Sequence, residues 1–131
     1  MRGEKWSRIE MKDIWIVILN WNGADDTIDC IASFAEQQDN QRHHIIVIDN
    51  ASRDDSMARI MAWAEQAALE FSVVDYNPDA GADHPLLPGD TPQYLTLVQS
   101  SQNLGFCDGN NLGAGMAFAN GADFALILNN D

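Results

Sequence analysis

Short apolar runs that stop abruptly at asparagine or aspartate, with helix-spaced stretches between them, constrain this chain more than any other feature. Residues 14–19 are continuously apolar and end at Asn20, Asn22 and Gly23, the pattern of a strand buried on both faces. Ile28, Ile31, Ala32 and Ala35 then recur at helical spacing, with Asp25 and Asp26 placed for the first turn, where the helix dipole favours anions. The pattern repeats. Residues 45–48 form a second β-branched run ended by Asp49 and Asn50, and Met57, Ile60, Met61 and Ala64 mark a second helix, for which Ser52 and Asp55 have capping-box spacing. After residues 71–75 comes a stretch with Pro78, Gly81, Pro85, Pro88, Gly89 and Pro92, which reads as a loop. Residues 94–98 predict another strand, 110–120 a helix with Leu112, Met116 and Ala119 on one stripe, and 123–128 a final buried strand.

Strands alternating with helices predict an α/β fold: an open, mostly parallel, Rossmann-like sheet with helices on both faces. The 131 residues suit one domain, spanning 14–131, preceded by a polar N-terminal extension over 1–13. No apolar run approaches the roughly 20 residues of a membrane span. Cys30 and Cys107 form no disulfide framework and no Cys/His zinc cluster, and together these features predict a cytoplasmic protein.

Seven basic against 20 acidic side chains leave a net charge of −13, which argues against nucleic-acid and anionic-membrane partners. No Lys or Arg follows Arg59, so an anionic ligand held by the later residues needs a metal or backbone amides. A phosphoacceptor signalling domain built around Asp49 is disfavoured for the same reason, since no late lysine is present to neutralise a phosphoryl group.

In a parallel α/β sheet, ligands sit beyond the carboxyl ends of the strands. Four such ends carry polar clusters: Asn20, Trp21, Asn22 and Gly23; Asp49, Asn50 and Ser52; Asn103, Gly105, Gly109 and Asn110; and Asn129, Asn130 and Asp131. Each cluster alone is ordinary turn and cap chemistry; four at one sheet edge suggest a site. The glycine segment N-L-G-F-C-D-G-N-N-L-G, residues 103–113, is neither a dinucleotide fingerprint nor a P-loop. Amides at a helix N-terminus can still hold a phosphate. The closing Asn129, Asn130 and Asp131 offer oxygen ligands suited to magnesium or manganese.

The ordered set I-V-I-L-N-W-N-G, V-I-D-N-A-S-R-D-D-S, N-L-G-F-C-D-G-N-N-L-G and L-I-L-N-N-D spans residues 16–131. In it the chain resembles the nucleotide-sugar-dependent glycosyltransferases of family 2, most closely the rhamnosyltransferase-like members. The resemblance implies the donor half of a type A glycosyltransferase fold, which binds a UDP-sugar or dTDP-sugar, rhamnose among the candidate sugars, for inverting transfer to a glycan acceptor. It implies that Asn20 lines the base and ribose pocket and that Asp49 accepts a hydrogen bond from the pyrimidine N3 group. Asn22, Asn50, Ser52, Asn103, Gly105, Gly109, Asn110 and Asn129 would complete the nucleotide-sugar site, with Arg53 as a nearby helper. Asn129, Asn130 and Asp131 occupy the position of the family's D-x-D motif, which makes Asp131 the expected ligand for Mg2+ or Mn2+. Cys107 and Asp108 depart from the small residues usual between the two glycines.

In the family, the catalytic base and the acceptor half follow the metal motif. The expectation is therefore a chain truncated at that motif, with no catalytic base of its own, unable to transfer sugar alone and prone to self-association along the edge of its last strand. A nucleotide-binding module without catalysis is the alternative.

Overall fold

The computed structural model describes residues 13–35, 43–80 and 94–129. Five strands, β1 (Ile14–Asn20), β2 (His43–Asp49), β3 (Phe71–Tyr76), β4 (Leu95–Ser100) and β5 (Phe124–Leu128), form one sheet in the order β3-β4-β2-β1-β5. Every pairing is parallel. Three helices, α1 (Ala24–Ala35), α2 (Ser56–Gln66) and α3 (Gly105–Ala119), and a short 3-10 turn (Pro78–Ala80) complete the described residues. The expected α/β architecture is therefore present. The N-terminal extension before Asp13, most of the proline-glycine stretch, Asn130 and Asp131 lie outside the described residues.

Alternation along the strands divides the core into two layers. Ile16, Ile18, Ile45, Val47, Leu95 and Leu97 face α1 and α2 and pack with Ala24, Ile31, Ile60 and Ala64. Trp15, Val17, Ile46, Ile48 and Val98 face the other way, onto Leu112, Met116 and Ala117 of α3. Neighbours on both faces explain the continuous apolar runs of β1 and β2. Each fully buried Ile, Val or Leu stabilises the fold by about 1.5–3 kcal/mol relative to an exposed one, so this double layer outweighs any local cap or ion pair. The exposed Arg59–Asp25 ion pair between α2 and α1 belongs to a class worth about 1 kcal/mol or less.

Four local expectations are corrected. Helix α3 begins at Gly105 rather than Asn110, because Gly105 adopts φ +81° and turns the chain directly into the helix. Ser52 does not cap α2. Asp55 occupies the N-cap without a side-chain cap bond, and the Ser52 hydroxyl is directed to Asp49 at 2.7 Å instead. The strand runs also continue into their polar ends, so that Asn20, Asp49 and Ser100 are strand residues. Finally, β5 is not buried. It pairs only with β1, and Phe124, Leu126 and Ile127 remain exposed: Phe124 and Leu126 stand on the α1–α2 face, whose helices pack over the central strands, and Ile127 stands on the α3 face at the sheet edge.

Two of the regularly spaced glycines of α3, Gly109 and Gly113, have a packing cause. A Cβ on Gly113 would stand 2.3 Å from Val17 Cγ1, and one on Gly109 would stand 2.6 Å from Leu19 Cδ1. These glycines let the helix backbone settle onto β1. Gly113→Ala therefore opposes two effects: helix propensity favours alanine by about 1 kcal/mol, while overpacking against a buried, β-branched neighbour costs about 1–3 kcal/mol. We expect net destabilisation in urea unfolding, and a stabilised variant would contradict the close approach of α3 to β1.

Candidate functional site at the carboxyl edge of the sheet

The loops after β1 and β2 lead to α1 and α2 on one face, whereas the loop after β4 leads to α3 on the other. Since β2 and β4 are neighbours, their loops diverge and open a crevice at the carboxyl edge. This is a topological switch point, the place where open α/β sheets bind ligands.

One row of side chains lines it. The register aligns Ile16 with Ile45 and Leu95, Ile18 with Val47 and Leu97, and then Asn20 with Asp49 and Gln99. Two apolar rows beneath α1 and α2 thus end in a polar row at the crevice. Asp49 is its centre and is 1% exposed. Its Oδ1 accepts from Asn20 Nδ2 at 2.9 Å and from Ser52 Oγ at 2.7 Å. Its Oδ2 accepts from the Ser52 backbone N–H at 3.1 Å and from Gln99 Nε2 at 2.9 Å. An ionised carboxylate has about four acceptor sites, and here all four are used. Asn20 is equally committed: its Oδ1 accepts from Thr27 Oγ1 at 2.6 Å, and its Nδ2 also lies 3.4 Å from Ser52 Oγ.

The loops are joined to each other as well. Asn22, in a left-handed conformation with φ 52°, donates its N–H to Ser52 Oγ at 2.9 Å, and its Oδ1 accepts the Arg53 N–H at 2.8 Å. Asn50, 3% exposed, spans the crevice: its Oδ1 accepts from the Leu104 N–H at 2.6 Å and its Nδ2 donates to the Gly105 carbonyl at 3.2 Å. The Gly105 N–H is held by Asn103 Oδ1 at 2.8 Å. No side chain at the N-cap, Leu104, caps α3. Just beyond this network, the Asp54 carboxyl is held below its usual range, chiefly by the Ser56 hydroxyl.

The structure therefore brings Asn20, Asn22, Asp49, Asn50 and Ser52 into one network, and Asn50 and Asn103 connect it to Gly105. Gly109 and Asn110 lie further into α3 on its buried side, Gly109 against Leu19, outside the network. Asn129 is exposed after β5. Arg53 is exposed, tied to the crevice through its backbone alone. His44 stacks on Trp15 with ring centroids 4.5 Å apart, and His43 meets Phe34 edge-on. Among the described residues no group of three His, Cys, Asp or Glu side chains is placed to hold a metal ion, and Asp131, the expected metal ligand, lies outside them. A cavity of about 240 Å³, lined by Tyr76, Leu104, Asp108 and Asn111 among others, opens beside α3.

Sequence reasoning missed Gln99 and Thr27. Gln99 had a readable signal: it is the first polar residue after the apolar run of β4, as Asn20 and Asp49 are after theirs. Thr27 had none, because only the fold of α1 over β1 brings its hydroxyl to Asn20.

Asp49→Asn keeps the shape of the hub but turns one acceptor oxygen into a donor, opposing two of the four hydrogen-bond donors. We expect a loss of about 1–3 kcal/mol in urea unfolding with the helical signal retained; a loss below about 0.5 kcal/mol would show that the network is not cooperative. Comparison with protein-family models, with curated proteins and with solved structures finds no match to this chain.

Proposed function

We propose that the crevice is the donor site of a glycosyltransferase of type A fold and takes the nucleoside diphosphate of a UDP-sugar or dTDP-sugar. The observation that carries this reading is the Asn20–Asp49–Gln99 row at the switch point between β2 and β4. Three features support it. The row leaves one acceptor uncommitted, the carboxamide oxygen of the half-buried Gln99, which suits the N–H of a pyrimidine imide. Asn50 and Asn103 hold the Leu104 and Gly105 N–H groups, and the later amides of the first turn of α3 face the same edge, where the helix dipole favours a phosphate. Three of the four sequence segments that resemble family 2 enzymes carry residues of this network: Asn20 and Asn22, then Asp49, Asn50 and Ser52, then Asn103 and Gly105.

A divalent cation belongs to this reading through Asn129, Asn130 and Asp131 on sequence grounds alone. It would neutralise diphosphate charge in a region that has no Lys or Arg after Arg59. The acceptor and the catalytic base are assigned to no residue of this chain.

Calorimetry with uridine, thymidine, adenosine and guanosine diphosphates, each with and without magnesium, tests the proposal. The expected result is tighter binding of the pyrimidine nucleotides and a clear loss of affinity when the metal is withheld. Equal affinities for all four, or tightest binding of a purine, would overturn the nucleotide assignment. Unchanged affinity without metal would remove the cation from it.

A further inference from the structure

We infer that Gln99 is the residue that reads the base in this crevice, in place of the buried Asp49, by offering its carboxamide oxygen to a ring N–H. The inference rests on the nucleotide reading above and deepens it. Asp49 has no acceptor position to spare: Asn20, Ser52 twice and Gln99 occupy its two oxygens. A ligand N–H could reach it only by displacing one of these donors from a residue that is 1% exposed. Among the four, Gln99 stands at the open side of the row. Gln99 and Ser52 are both half-buried, whereas Asn20 is fully buried under Thr27, and the Ser52 hydroxyl is already engaged by Asp49, Asn20 and Asn22.

The orientation of the Gln99 amide is fixed by its neighbours. Its Nε2 lies 2.9 Å from Asp49 Oδ2 and 3.0 Å from the Ser100 carbonyl oxygen. A carboxylate and a backbone carbonyl only accept, so the NH2 group must face both of them, and a flipped amide would set oxygen against two oxygens. Both N–H bonds are thereby used, and Oε1 is the group left over. It makes no hydrogen bond among the described residues and is not one of the buried polar atoms lacking a partner. The next residue of the row, Asp75, pairs with Gln99 across β3 and β4 and is exposed. The open end of the row thus presents acceptors alone.

That chemistry selects a ligand edge with a donor at its centre. The imide N3–H of uracil or thymine satisfies Gln99 Oε1, whereas the N3 lone pair of cytosine would oppose it. Asp49 then acts as a positioning residue that holds the Gln99 amide in its one productive orientation.

Direct reading by Asp49 and reading by Gln99 make opposite forecasts for the same variant. Calorimetry with UDP and with N3-methyl-UDP, in magnesium buffer, is carried out on the unaltered chain, on Gln99→Ala and on Gln99→Met, which keeps the side-chain length without the acceptor. If Gln99 reads the base, the unaltered chain prefers UDP over the methylated probe by about fivefold, the equivalent of one ordinary hydrogen bond. Both variants then bind UDP about fivefold more weakly and lose the preference. If Asp49 reads the base, removal of the Gln99 amide frees its Oδ2, and the variants bind UDP as well or better and keep the preference, which overturns the inference while leaving the nucleotide site intact. Failure of the unaltered chain to bind UDP at all would overturn the nucleotide reading itself, and this inference with it.

Discussion

The architecture of the carboxyl edge depends on one buried carboxylate having every acceptor position filled. A carboxylate taken out of water costs several kcal/mol unless hydrogen bonds replace its hydration, and Asp49, at 1% exposure, meets that requirement with donors from three elements. Asn20 comes from β1, the Ser52 hydroxyl and amide from the loop after β2, and Gln99 from β4. The requirement works in both directions. The carboxylate needs the loops folded over it, and the loops gain a fixed geometry from the carboxylate. Asn22 and Asn50 extend the same lock to α2 and α3 through backbone groups that would otherwise lack partners at the loop ends.

Beneath that edge, the sheet is an ordinary two-layer core, and its asymmetry determines what the edge can do. Helices α1 and α2 cover one face and α3 the other, so the loops separate between β2 and β4. The close approach of α3, permitted by Gly109 and Gly113, brings the helix N-terminus level with the ends of β1 and β2. Removal of those two glycines would lift the helix and widen the crevice that Asn50 spans. The packing of α3 and the polar network are thus two parts of one device: the glycines bring the helix in, and Asn50 fixes its first turn.

Much of this was legible in the sequence because periodicity and termination are local signals. The apolar runs of β1 and β2 stop at Asn20 and Asp49, and both residues prove central to the network. Helix α3 begins earlier than expected because glycine is a poor helix former, and only the structure explains three of its glycines: Gly105 by its positive φ, Gly109 and Gly113 by their contact with Leu19 and Val17. Ser52 had the spacing of a cap, yet its hydroxyl is directed to Asp49, since a buried acceptor outcompetes a solvent-exposed amide. The exposure of β5 was illegible because an apolar run records hydrophobicity, not the number of neighbours. Gln99 is hard to read in the sequence because five polar residues, 99–103, follow its run, so that no single one marks the end of the strand.

The central claim is that the crevice organised by Asp49 is where ligand binds. Amide chemical-shift mapping tests it most directly: UDP and magnesium are titrated into the isotopically labelled chain, and the perturbed backbone amides are placed on the fold. The account predicts the largest changes at residues 20–23, 49–53, 99–100 and 103–107, with little at the amino edge around Asp13, Ile45 and Ala122. Perturbations centred on the cavity beside α3, at Tyr76, Asp108 and Asn111, with the Asn20–Asp49–Gln99 row unmoved, would contradict it.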